Sequence, residues 1–223
     1  MSRRAVLFSE MTPDASWEQD FNDWYDTEHI PLRMTSAPGF TSAQRYHNVD
    51  GPAYLAIYEM ESKGALATPE YRQIKGNPGE RTRQMLGGVS DFTRYIGEEI
   101  GSWQQPAARE AAPFDAAFVY AVFFTVPEAR TDEFNRWYEE DHIPALLGCE
   151  DWLAVRRFNI VDGEPHRFTH LALHYLAKRD ALESDAREKA RSTPWRARLA
   201  AEDWFKGHYC VFEKVGHRFL AES

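Results

Sequence analysis

Cysteine is scarce in this chain: 223 residues hold two, Cys149 and Cys210, with no Cys-x-x-Cys pair. That excludes a disulfide framework and a thiolate zinc site, and a reducing, cytoplasmic setting is expected. Positive charge is also short, with 26 Lys and Arg against 35 Asp and Glu and a formal net charge of −9. A surface that neutralises phosphates needs the reverse balance, so nucleic acid is not an expected partner. Long apolar runs are missing as well. The run that follows Arg3 and Arg4 stops at Ser9 and Glu10, too short for a signal-peptide core, and Phe114 to Val126 contains Asp115 and cannot span a bilayer. No membrane partner is expected. Glycine-rich phosphate loops, nucleophile elbows and dinucleotide fingerprints are lacking too, which leaves nucleotide-dependent chemistry without support.

Aromatic side chains are abundant: 7 Trp, 10 Tyr and 14 Phe in a chain that is 43% hydrophobic point to a folded protein with aromatic-lined space. Their arrangement repeats. Phe21-Asn22-Asp23-Trp24-Tyr25-Asp26-Thr27-Glu28-His29-Ile30-Pro31 aligns with Phe134-Asn135-Arg136-Trp137-Tyr138-Glu139-Glu140-Asp141-His142-Ile143-Pro144, identical at seven of eleven positions. After a one-residue gap, Phe40, Arg45, Tyr46, Val49, Asp50 and Gly51 meet Trp152, Arg157, Phe158, Val161, Asp162 and Gly163, and later Tyr71-Arg72 meets Trp195-Arg196. Conserved order and spacing mark an internal duplication.

Each half reads as β-α-β-β-α-β. Ala5 to Ser9 and Phe118 to Val126 are first strands. Ser16 to His29 has helical periodicity, with a Ser16-x-x-Gln19 capping box, and Pro31 and Pro144 are expected to end the helices. Ser42 to Val49 with Tyr54 to Met60, and Val155 to Val161 with Phe168 to Leu176, are strand pairs whose turns open at Asp50-Gly51 and Asp162-Gly163. Charged helical stretches interrupted by Pro69, Pro78 and Pro194 follow, then final strands at Phe92 to Ile96 and Tyr209 to Val215. This is the split βαβ, ferredoxin-like unit. The expected fold class is α+β: two tandem ferredoxin-like units, 1–100 and 116–223, joined by a linker over 101–115, with their antiparallel sheets packed into one barrel.

The helix ending Trp-Tyr-x-x-(Glu/Asp)-His-Ile-Pro, with Ala37-Pro38-Gly39-Phe40 and Arg45-Tyr46 after it, resembles the EthD-like branch of the dimeric α+β barrel superfamily, over both halves. Members are usually single units that pair, so the resemblance implies a tandem fusion of two units. The superfamily includes polyketide cyclases, lactone isomerases, cofactor-free oxygenases and haem enzymes, so the resemblance implies a fold and leaves the reaction open.

His29 and His142 are the leading candidates for catalysis. At a helix C-terminus the macrodipole favours the imidazolium and is expected to raise the pKa toward neutrality. Tyr25 and Tyr138, four residues earlier, share that helical face as proton partners. The competing reading makes the same residues the stripe by which the helix packs on its sheet, and Trp24 and Trp137 belong mainly to that core. Arg45 and Arg157 would anchor a carboxylate or enolate, or else pair with a helix acid, Glu28 or Asp141. Tyr54, Tyr58, His170 and His174 would line a pocket from the third strands, with His47 a lesser candidate. The His166, His170 and His174 run is strand-spaced, so no metal is expected. These residues suggest a small-molecule enzyme working by cofactor-independent acid–base catalysis, of lyase, isomerase, cyclase or dehydratase type, on an aromatic or apolar metabolite. The alternatives are a haem-dependent barrel with His142 or His208 as axial ligand, and a non-catalytic barrel that binds a hydrophobic ligand. A monomer or homodimer is expected.

Overall fold

The computed structural model describes residues 3–105 and 113–221. The first half comprises β1 (Ala5–Thr12), α1 (Glu18–Trp24), α2 (Ile30–Ser36), β2 (Phe40–Asn48), β3 (Tyr54–Met60), α3 (Pro69–Gly76), α4 (Glu80–Gly88) and β4 (Ser90–Gln104). The second comprises β5 (Phe118–Phe124), α5 (Thr131–Trp137), α6 (Ile143–Leu146), β6 (Trp152–Glu164), β7 (His170–Leu176), α7 (Asp185–Arg191), α8 (Pro194–Ala200) and β8 (His208–Leu220). The chain divides into two compact units, one of Met1–Glu99, Val161–His166 and Val215–Ser223, the other of Ile100–Ile160 and Arg167–Lys214. Residues 106–112 of the expected linker lie outside the described residues, and β4 occupies its start, continuing to Gln104.

In the first unit β1 pairs with β3 and β4, and β3 with β2; in the second, β5 pairs with β7 and β8, and β7 with β6, all antiparallel. The hydrogen-bonded strand order, β1-β3-β2-β8-β5-β7-β6-β4, is that of a closed eight-stranded barrel. Registers match between the units: Phe40 faces Met60 and Ala43 faces Tyr58, as Trp152 faces Leu176 and Val155 faces His174, with a bulge at the same place in each pair. Tyr58 and His174 are therefore equivalent positions.

Both first helices run through their prolines. A single π-helical turn, Tyr25–His29, joins α1 to α2, and Tyr138–His142 joins α5 to α6. Pro31 and Pro144 fall in the first turn after the π segment, where a missing N–H costs little. The expected helix ends at His29 and His142 are thereby corrected. Helical residues four apart share a face, so Phe21 and Tyr25, with Trp24 beside them, are buried against the sheet, where Ala5, Leu7, Ala43, Ala56 and Tyr58 meet them.

Three other local expectations change. Ser16 caps no helix; its N–H and hydroxyl both bond Asp14 Oδ1, a local turn that outcompetes the capping box. Asp162-Gly163 lies inside β6, not at the turn, because a Cβ at Gly163 would stand 2.2 Å from Tyr95 Cδ1: the glycine admits that ring. Finally, Thr68 and Ser184 cap α3 and α7 alike, receiving the N–H of Tyr71 and Arg187, so Tyr71 corresponds to Arg187 and not to Trp195.

Arg45 and Arg157, each 1% exposed, tie the first helices to the second strands. Arg45 donates to Asp26 Oδ1 at 2.8 Å and to Asn22 Oδ1; Arg157 donates to Glu139 Oε1 at 3.2 Å and Asn135 Oδ1 at 2.6 Å. The acids expected as partners are elsewhere. Glu28 binds Arg81, and Asp141 accepts from Thr193 at 2.6 Å. Two residues of helix turn a side chain to the far face, so position 26, and not 28, reaches the strand. Asp26→Ala would leave a buried guanidinium with Asn22 but without its half-exposed counter-charge, and an unfolding titration should show a loss of about 1–3 kcal/mol; a loss under about 0.5 kcal/mol would contradict this role.

Candidate functional site

In the first unit the π turn stacks three rings. His29 lies 4.2 Å from Trp24 and 4.8 Å from Tyr25, centroid to centroid. Trp24 Nε1 donates to Thr82 at 3.3 Å, but His29 Nδ1 is buried with no hydrogen-bond partner. The Tyr25 and Tyr58 phenols are close enough to act on one another's ionisation, yet the Tyr58 hydroxyl finds no partner in hydrogen-bonding geometry. Arg33, one turn beyond His29, donates to the His29 carbonyl at 2.7 Å and sits 5.7 Å from the Tyr58 ring centre.

The expectation that a helix end raises the pKa of His29 is overturned, because His29 is at no helix end. Burial, then the charges of Arg33 and Arg45, hold its imidazole well below 6.5. Burial also pushes the Tyr25 phenol up, with Arg33 and Arg45 opposing, and raises Tyr58 well above 10. The resting state is a neutral imidazole beside the neutral Tyr25 phenol, with the Arg33 and Arg45 charges nearby.

The second unit satisfies the same positions internally. Trp152 Nε1, a donor only, gives its hydrogen to His174 Nδ1 at 3.2 Å. Burial holds His174 well below 6.5, hence neutral, so its own hydrogen is on Nε2 and points at the Tyr138 hydroxyl oxygen, 3.3 Å away. Tyr138 accepts there, which leaves its proton free to be donated elsewhere. His142 Nδ1 meets the Ala190 carbonyl at 3.3 Å, and its pKa is pulled down to about 4, chiefly by burial.

Several sequence candidates belong to the scaffold. Arg45 and Arg157 are occupied by helix oxygens and are not free anchors. Tyr54 donates to Glu18 at 2.6 Å and accepts from Asn22, joining that belt, and His47 packs on Tyr54 at 4.7 Å. His170 meets Thr169 Oγ1 at 2.8 Å and Phe134 at 5.2 Å, while its Nε2 is buried without a partner. Trp137 Nε1 is likewise unmet. Sequence reasoning passed over Arg33, although its position four residues after His29 was a usable signal. It also passed over Tyr120, Trp152, Arg187 and Tyr209, which converge from four separate elements with no shared motif.

The two histidines considered as haem ligands differ in their surroundings. His208 Nε2 lies 3.3 Å from Cys210 Sγ, and its ring stacks on Phe168. Burial, then the Arg196, Arg157 and Arg187 charges, keep the His142 ring neutral, the form in which an imidazole ligates a metal. Among the described residues, no group of three or more His, Cys, Asp or Glu could hold a metal ion, and no helix is long and apolar enough to cross a membrane.

His142 and His170 are both held at about 4, so the unfolded chain takes up protons between pH 6.5 and 4 that the folded chain refuses. Their contribution to stability is fully present above pH 6.5 and drains as pH falls through that window, by at most roughly 1.4 kcal/mol per pH unit each. Urea titrations at pH 7 and pH 5 should show a smaller stability difference for His170→Gln than for the unaltered chain. An equal difference would contradict the assignment.

No protein-family model and no curated protein sequence matches the chain. Solved structures do. A structure described as an anthrone oxidase-like protein aligns over 100% of this chain and 95% of its own at a TM-score of 0.71 and 13% identity. A candidate monooxygenase of Fusobacterium nucleatum subsp. nucleatum aligns over 98% and 95% at 0.63 and 8% identity. A mutant chlorite dismutase of Candidatus Nitrospira defluvii aligns over 96% and 92% at 0.57 and 6% identity. At such identities these neighbours give this chain its fold and not its reaction.

Proposed function

We propose that this chain is a small-molecule enzyme that moves protons without a bound cofactor, and that His29 and Tyr25 of the first unit are its reacting pair. One observation carries the reading: two buried polar atoms, His29 Nδ1 and the Tyr58 hydroxyl, lie beside Tyr25 without partners. Each such atom costs about 1–3 kcal/mol until something satisfies it, and a substrate that accepts from a phenol and donates to an imidazole would satisfy both.

The chemistry follows from the protonation states. Neutral His29 takes a proton from a carbon or hydroxyl acid. The C–H or O–H bond breaks, its electron pair passes to a conjugated oxygen, and a Tyr25 or Tyr58 hydroxyl donates a hydrogen bond to that oxygen under the positive field of Arg33. Because burial keeps the His29 pKa low, the imidazolium returns the proton readily, to another atom of an isomerising substrate or to a leaving group in a lyase reaction. An aromatic or extended apolar substrate fits the rings around this centre. Tyr138 and His142 repeat the pair in the second unit, with their hydrogen bonds already met by His174 and Ala190. A duplicated ferredoxin-like unit of the EthD-like branch accounts for both copies. The neighbours described as anthrone oxidase-like and monooxygenase point the same way, toward small-molecule chemistry.

The test is turnover on a panel of aromatic hydroxy acids and lactones. His29→Ala should lower kcat roughly 10²–10⁴-fold, the usual contribution of a positioned base, and Tyr25→Phe by less, with each variant shown to be folded at the assay temperature. Full activity in His29→Ala would sink the mechanism.

A further inference from the structure

Among the described residues, Arg45, Arg81, Arg94, Arg130, Arg136, Arg157 and Arg218 each take a carboxylate, as a chain with nine surplus acids makes easy. Among those that do not, three lie close together in the second unit. Arg187 and Arg191 on α7 and Arg196 on α8 have no ion pair among the described residues. Arg187 and Arg196 instead donate to backbone, to the Leu182 carbonyl and, at 3.2 Å, to the Arg191 carbonyl. Arg187 and Arg191 are four apart on one helix, a like-charge spacing that opposes helix formation. The charges also feel one another: Arg196 is lowered from its ordinary value first by burial, then by Arg191 and by Arg187.

An aromatic wall stands beside them. Tyr120 and Tyr209 stack at 6.0 Å with an interplanar angle of 11°, and the Arg187 guanidinium lies 5.9 Å from the Tyr120 ring centre. Tyr120 is 8% exposed and Tyr209 50%, so the stack runs from the core to the surface. Inward, Tyr120 continues to His174 at 5.5 Å. The first unit has none of this, with Tyr71 where the second has Arg187 and Leu7 where it has Tyr120.

We infer that the second unit holds an anion-binding site of its own, in which Arg187, Arg191 and Arg196 take the carboxylate of a small aromatic acid whose ring lies along Tyr120 and Tyr209. Neighbouring guanidiniums without ion pairs supply donors that a carboxylate fits, and the tyrosine faces accept a planar apolar body. The site does not depend on catalysis in the first unit, and it is measured by binding without turnover.

Calorimetric titration of the whole chain with benzoate, benzamide and inorganic phosphate decides it. Benzoate should bind at least tenfold more tightly than either of the others. Arg187→Gln with Arg196→Gln should weaken benzoate at least tenfold. Arg191 and Tyr209 are exposed, so Arg191→Gln and Tyr209→Leu leave the core intact and should each weaken it several-fold. No benzoate binding, equal binding of benzamide or phosphate, or unchanged affinity in both exposed variants would overturn the site.

Discussion

The buried guanidinium on the second strand of each unit is the constraint from which the rest follows. Arg45 and Arg157 can be buried only because Asn22 with Asp26, and Asn135 with Glu139, present oxygens to them from the first helix. That bond set fixes the rotation of the helix on the sheet. Tyr25 and Tyr138 then lie under the guanidiniums, at 4.7 and 4.4 Å from ring centre to Cζ. With those rings placed, the π turn brings His29 and His142 against the same tyrosines and the preceding tryptophans.

A helix that ended at the proline would give each histidine the negative end of a dipole and a raised pKa. The continuing helix removes that end, and burial decides the protonation state instead. From this common starting point the two units diverge. The first leaves His29 Nδ1 and the Tyr58 hydroxyl unmet. In the second, Trp152 replaces Phe40 and His174 replaces Tyr58, and the new indole N–H satisfies the new imidazole. The cation over the site also changes origin, from Arg33 on α2 to Arg187 on α7.

The strand and helix order was legible because it rests on periodicity and repetition, and the span of β3 was read to the residue. The failures have particular causes. Pro31 reads as a stop only if the helix keeps α geometry, and a π turn is not visible in a single sequence. Asp162-Gly163 has turn chemistry, but the glycine answers to Tyr95, a ring far away in the chain. Thr193-Pro194-Trp195-Arg196 mimics Thr68-Pro69-Glu70-Tyr71-Arg72 closely enough to hide the equivalence of Tyr71 with Arg187, which only the caps reveal. Of the site residues, those carried by the helix segment that recurs in the sequence could be found by aligning the halves. Those that differ between the halves, Tyr120, Trp152 and Arg187 above all, could not, because divergence erases the signal that alignment depends on.

The central claim is that His29 is a neutral, buried imidazole held away from any helix end. Nitrogen-15 and carbon-13 chemical shifts of its ring, followed by NMR from pH 8 to pH 4.5, test it directly. A ring that is neutral at pH 7 and titrates below the ordinary imidazole value of 6.5, or not at all in this range, is expected. A titration midpoint at or above 6.5 would contradict it.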